Sequence, residues 1–193
     1  MKKKKLNIIL VKNLLPLFLL AILLFTGIYY FANKEEFSLN KKVSLPIRIE
    51  DNTKNVILFF GYVGCPTVCP TALSSISLAY EKIGKEKGQT QVLFISLTDT
   101  TNSSADIYAK LFNKNFSGFV IEKNKQKLID EYNVFWSEAR KETNKEAAHS
   151  PYIYFLEHHK HNDLILKYIY TKYPPKVEDI IYYLKKMSNF SIN

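Results

Sequence analysis

Cys65 and Cys69 are the only cysteines in the chain, four positions apart in Gly64-Cys65-Pro66-Thr67-Val68-Cys69-Pro70. Two thiols so spaced can share a metal ion or close on each other as a disulfide. Val56 to Phe60, just upstream, are all apolar, which predicts a strand buried on both faces. Gly61 and Gly64 loosen the backbone after it. Pro66 and Pro70 suit the first turn of a helix, where a missing N–H removes no bond. The thiols thus fall at a strand-to-helix junction. On a helical turn, positions i and i+4 share a face, so the two sulfurs converge. The positive end of a helix favours anions, so at least one thiol ionises more easily than a free cysteine. The alternative is two small buried hydrophobes, but a helix start is where thiols react.

The elements that must position this junction follow in order. Ala72, Ile76, Ala79 and Ile83 fall at helical spacing, predicting a helix to about Lys87 that Gly88 ends. Val92 to Leu97 reads as a second buried strand. Ile107, Leu111 and Phe112 mark another helix, capped by Asn102, Ser103 or Ser104. Phe119-Val120-Ile121 is extended and Gln126 to Tyr132 helical. Trp136 to Ser150 is polar and charged, which predicts a long exposed loop. Pro151–Leu156 and Leu164–Tyr170 form a hairpin, and Pro175 to Met187 a final amphipathic helix. Such an order predicts a central mixed sheet with helices on both faces, an α/β fold. Leu45-Pro46-Ile47-Arg48-Ile49 alternates like a half-buried edge strand.

The 193 residues are 47% hydrophobic and carry a net charge of +9. Lys2, Lys3, Lys4, Lys5 and Lys12 account for most of it; 27 basic residues less these five, against 18 acidic, leave +4. No basic stripe with interleaved aromatics remains, so nucleic acid is not a partner. Asn13 to Ala32 is almost wholly apolar, long enough for a bilayer core at about 1.5 Å per residue. Lysines precede it and Tyr29-Tyr30-Phe31 ends it, which orients the N-terminus inside and the rest outside. A cleaved signal peptide is the alternative; the bulky Tyr29 to Phe31 offer no small-x-small site. The expected organisation is a cytoplasmic basic tail at 1–12, a single-pass anchor in the cytoplasmic membrane at 13–32, a linker with short edge strands at 33–54, and one domain at 55–193. That domain faces the periplasmic or extracytoplasmic side.

Phe59-Phe60-Gly61-Tyr62 followed by Cys65-Pro66-Thr67-Val68-Cys69-Pro70 resembles the Sco/SenC family of membrane-anchored copper-binding proteins. The likeness extends over about Phe37 to Met187. It implies a thioredoxin-like domain, a Cu(I) site built from the two motif cysteines and a distant histidine, and a role in building the dinuclear copper site of cytochrome c oxidase. Of the four histidines, His149 lies in Ala147-Ala148-His149-Ser150-Pro151, where the family places its ligand in an Asp-His-Ser-like sequence. The implied metal set is Cys65, Cys69 and His149. A thioredoxin-like loop at this place also implies a cis Ser150–Pro151 bond. Two sulfurs and one imidazole make a soft, low-coordinate site that suits Cu(I), while Zn(II) wants a fourth ligand; Cu(II) stays open.

Departures from the family are Gly64 where many members have His, Thr67 where many have Asp, and Ala148 for the acidic residue. The family's Val-Asp-Pro is met only by Leu97-Thr98-Asp99, where Asp99 is the candidate carboxylate. His158, His159 and His161 cluster at the hairpin turn and read as a solvated turn, with a weak metal-binding role as the alternative. The first functional reading is a metallochaperone that hands copper to an oxidase subunit or another copper chaperone. The second is a thiol–disulfide oxidoreductase in which Cys65 attacks and Cys69 resolves. A thiol peroxidase is a third, but no cationic partner beside Cys65 is evident in the sequence.

Overall fold

The computed structural model describes residues 16, 18–26, 39–98, 100–138, 147–159 and 163–190. The 1–12 tail, most of the 13–32 segment, Asp99 and His161 lie outside them. Residues 18–26 are helical. Among the described residues, no helix is long and apolar enough to cross a membrane.

The strand Asn55–Gly61 (β2) organises the larger unit, Ser38–Asn193. All seven of its residues are buried. Val56, Leu58 and Phe60 enter one core and Ile57 and Phe59 the other, because successive side chains point to opposite faces. A strand covered on both sides needs a continuous apolar run, and this one has it. Beside β2 lie β3 (Thr90–Ser96), which is parallel, and β7 (Ile153–His159), which is antiparallel. The full order is β1-β8-β7-β2-β3-β4, with β1 at Lys41–Val43, β4 at Phe116–Val120 and β8 at Asp163–Tyr170. A separate two-stranded ribbon pairs β5 (Trp136–Ser137) with β6 (Ala148–His149).

Parallel neighbours require crossovers. Helix α1 (Val68–Lys82) joins β2 to β3, and α2 (Asn102–Lys110) joins β3 to β4. Ala72, Leu73, Ile76 and Ala79 of α1 pack with Ala105 and Ala109 of α2 and with Ile180, Leu184 and Met187 of α4 (Val177–Phe190). On the opposite face Leu128, Ile129 and Tyr132 of α3 (Lys125–Tyr132) cover the sheet together with Leu45 and Ile49. The result is the expected thioredoxin-like arrangement, a mixed sheet between helices.

Several elements differ from the sequence expectation. The edge strand is Lys41–Val43, pairing with β8, and not Leu45–Ile49. Pro46 has no N–H to give a ladder, so the alternating segment packs on the sheet face instead. Helix α1 stops at Lys82 because Gly84 takes φ +70°, and the chain continues as a 3-10 turn, Gly84–Gln89. Thr101, not the three residues after it, caps α2: its hydroxyl accepts from the Ser104 N–H at 3.1 Å. Asn102 accepts from the Val120 N–H at 2.7 Å and fastens α2 to β4.

The Ser150–Pro151 bond is trans; the cis bond among the described residues is Tyr173–Pro174. Ser150 donates its N–H to the Phe135 carbonyl at 3.0 Å, so the ribbon continues in extended form toward β7. That geometry removes the tight turn on which the expectation of a cis bond rested.

Candidate metal centre

The chain leaves β2 at Gly61 and turns at once. The Cys65 N–H bonds the Tyr62 carbonyl at 3.2 Å, and Gly64 takes φ +85°, a conformation glycine adopts without cost. This turn delivers Cys65 in front of α1 and not on it. The helix begins at Val68, so the cysteines do not meet by helical i, i+4 register as their spacing suggests. They meet because the turn folds Cys65 back over the helix start. Thr67 gives α1 no side-chain cap, and the Cys69 N–H points to the Cys65 sulfur at 3.5 Å instead. An orphan helix donor aimed at sulfur stabilises a thiolate there.

Both thiols are free and buried, Cys65 5% exposed and Cys69 not at all. A hydrogen bond from the Cys69 thiol, helped by the Cys69 N–H and His149, lowers the Cys65 pKa to about 4 against the opposing pull of burial. The same bond, with burial, pushes Cys69 up. The pair therefore holds one proton, on Cys69 and directed at the Cys65 sulfur, while the Tyr62 carbonyl lies 3.8 Å from Cys69 Sγ.

His149 arrives from the other side of the chain. In the ribbon it stands opposite Trp136, and its ring, 8% exposed, faces both thiols. Its Nε2 is 3.3 Å from Cys69 Sγ and 3.7 Å from Cys65 Sγ. Its Nδ1 lies 3.0 Å from the Ser150 carbonyl, which can only accept, so Nδ1 donates there and Nε2 is the ring atom that faces the sulfurs. Phe59 and Tyr62 meet the imidazole edge to face, each with ring centroids at 5.8 Å. The three donor atoms lie within 4.8 Å of one another. Two sulfurs and one imidazole nitrogen without a carboxylate form a donor set that fits a soft cation.

The structure thus brings together Cys65, Cys69 and His149 and leaves His158 and His159 apart. His158 donates from Nδ1 to the Thr53 carbonyl at 2.8 Å, and His159 sits 3.7 Å from Glu157 at the exposed hairpin end. Four residues that sequence reading gave no role belong to the site. Phe59 and Tyr62 frame the imidazole, and Trp136 pairs with His149. Tyr108 donates its hydroxyl to the Cys65 carbonyl at 3.4 Å. Tyr62 stands inside the motif that carries the family resemblance. Trp136 gave no signal, since a two-residue ladder has no period to detect.

The SCO1/SenC family model matches residues 32–185. Among curated proteins, a "SCO2-like protein" of Rickettsia felis is 26% identical over 135 residues, 67% of this chain. The chain spans less than two thirds (63%) of that relative's length. The solution structure of apo Sco1 from Thermus thermophilus is 28% identical with a TM-score of 0.54, covering 72% of this chain and 80% of that one. A ScoI structure from Bradyrhizobium japonicum with copper bound is 25% identical with a TM-score of 0.53, covering 69% and 85%. With a family match over most of its length and a Cys-Cys-His cluster at the family motif, the chain belongs to the SCO1/SenC family.

Proposed function

We propose that this protein is a membrane-anchored copper carrier that holds Cu(I) through Cys65, Cys69 and His149 and passes it to the dinuclear copper site of cytochrome c oxidase, or helps that site mature. One observation carries the reading: Nε2 of His149 faces both sulfurs, 3.3 and 3.7 Å away. The copper-bound ScoI relative supports the choice of cargo. Membership of the family, through the resemblance of its motif, supports the oxidase as destination. Transfer proceeds by ligand exchange, with incoming thiolates displacing these donors one at a time. Binding requires the dithiol, so the Cys65–Cys69 disulfide, which lacks the two thiolates, does not hold the cargo.

A second reading draws on the Cys65 thiolate and the protonated Cys69 behind it. That arrangement suits reduction of a partner's disulfide. Cys65 attacks one partner sulfur and expels the other as thiolate. Cys69 then gives up its proton and displaces the first sulfur. The partner gains two electrons and the Cys65–Cys69 pair loses two. Reducing an acceptor's copper ligands and then loading them are consecutive steps, so one site serves both.

Membrane attachment is supported by the lysines ahead of residue 13 and by residues 18–26. These are helical, and Phe18, Leu19, Leu20, Ile22, Leu23, Leu24 and Phe25 are all exposed, as a lipid-facing helix requires.

The deciding experiment is Cu(I) titration of the full-length reduced chain in detergent against a chromophoric chelator, repeated with His149→Ala and after oxidation of the thiols. The copper reading expects one tight equivalent, weakened in the variant and absent from the disulfide form. Equal affinity in the variant, together with fast reduction of an unrelated disulfide protein, would favour the oxidoreductase.

A further inference from the structure

Tyr62 touches all three proposed ligands. Its carbonyl accepts the Cys65 N–H at 3.2 Å and lies 3.8 Å from Cys69 Sγ. Its ring meets the His149 imidazole at 87°, with centroids 5.8 Å apart. Its hydroxyl donates to the Ala147 carbonyl at 3.3 Å, two residues ahead of His149. The same ring contacts Trp136, which faces His149 across the ribbon. No short-range chain connection fixes the histidine to the thiols, since Cys65 and His149 are 84 positions apart. Phe59, fully buried in the core, fixes one edge of the imidazole. Tyr62 fixes a second edge and also tethers the backbone that delivers it.

We infer that Tyr62 is the positioning residue that couples the histidine ribbon to the cysteine turn, holding His149 Nε2 over both sulfurs before any cargo arrives and so setting how tightly Cu(I) is held. This inference rests on the copper reading. Preorganised ligands bind more tightly because little ordering is left to be done on binding, and partners that orient a ligand affect metal affinity nearly as the ligands do. The backbone and side-chain parts of Tyr62 act on different ligands. Its carbonyl serves the cysteines and survives any substitution; its hydroxyl and ring serve the histidine and do not. Side-chain variants therefore loosen the imidazole and leave the dithiol alone.

The test uses full-length wild type, Tyr62→Phe and Tyr62→Leu in detergent. Three quantities are read: the ¹⁵N ring resonances of His149 without copper, the Cu(I) affinity by chelator competition, and the dithiol midpoint potential. Tyr62→Phe keeps the ring and loses the tether; its Cu(I) affinity falls about threefold to tenfold. Tyr62→Leu loses both, and the fall reaches about 10- to 100-fold. In both variants the His149 ring resonances depart from those of wild type, while the midpoint potential shifts little and the melting temperature holds. Unchanged His149 resonances and unchanged affinity in Tyr62→Leu would overturn the inference. So would a parallel loss of midpoint potential and melting temperature, which marks a merely structural role. Should wild type itself fail to bind Cu(I), the copper reading falls, and the copper-free resonances alone decide whether Tyr62 positions His149.

Discussion

His149 Nε2 lies 3.3 Å from Cys69 Sγ although 80 positions separate the two residues. The contact joins the start of α1 to a ribbon strand that precedes β7, and β7 lies next to β2 in the sheet. Because β2 carries the cysteine turn at its end, the pairing of β2 with β7 is what brings imidazole to thiol. Fold and site are here one fact: the register Phe59↔Ile153 sets how far His149 stands from the turn.

Replacing His149 by Ala removes a ligand and leaves the dithiol. Cu(I) affinity should fall by no less than the roughly 10–100-fold that loss of an orienting partner costs. Disulfide formation between Cys65 and Cys69 should continue. Chelator competition and a glutathione redox titration, run on the same preparation, report the two quantities separately. A variant that lost both together would mean that His149 supports the turn and not the cargo.

Gly61 sets the depth of the site. A Cβ there would stand 2.4 Å from Cys69 Sγ and 3.0 Å from Phe94, and both of those side chains are fully buried. Overpacking of this kind costs about 1–3 kcal/mol. Gly61→Ala should therefore lower the urea midpoint of the domain and also weaken copper binding by displacing the Cys69 sulfur. Stability and affinity equal to wild type would show that the helix start can shift freely.

The parts of this fold that were legible in the sequence are those whose burial leaves a pattern. Val56 to Phe60 is apolar at every position because both faces of β2 are covered. The cysteines were legible because a helix start ionises thiols, so a pair placed there is seldom mere packing. His149 was legible only through its neighbours in sequence, since nothing in its own type or spacing distinguishes it from His158. The roles of Tyr62, Trp136 and Tyr108 were not legible at all. They depend on tertiary contacts across the β5–β6 ribbon and from α2, which leave no period in the chain. The edge strand was misplaced for a similar reason. Leu45 and Ile49 alternate because they pack on a sheet face, which mimics the pattern of a strand.

Attachment to the membrane is open to direct measurement. Full-length protein should remain in the pellet after carbonate extraction, and N-terminal sequencing of the mature form should find the lysine-rich tail. A mature chain beginning after Ala32 would replace the anchor with a cleaved signal.

The pH dependence of loading follows from how the dithiol shares its proton. Cys65 is held down to about 4, so it stays a thiolate from near pH 5 upward and protonates only as pH falls through about 4. Cys69 is pushed up and keeps its proton across the same range. Copper binds thiolates, so loading must expel the Cys69 proton and finds none on Cys65. Near pH 8, above the range in which histidine ligands ordinarily take up a second proton, one proton should leave for each Cu(I) bound, and the affinity should rise about tenfold per pH unit. Below about pH 4 Cys65 must also be deprotonated, and the slope should steepen further. Two ordinary thiols near 9 would instead release two protons throughout the upper range. Competition titrations at several pH values measure the slope, and iodoacetamide gives an independent reading. Alkylation of Cys65 should hold a plateau from about pH 5 to 8, whereas an ordinary thiol loses about tenfold in rate per unit as pH falls. A two-proton slope near pH 8, or a Cys65 alkylation rate that falls about tenfold per unit between about pH 5 and 8, would show that the two sulfurs do not share a proton in this way.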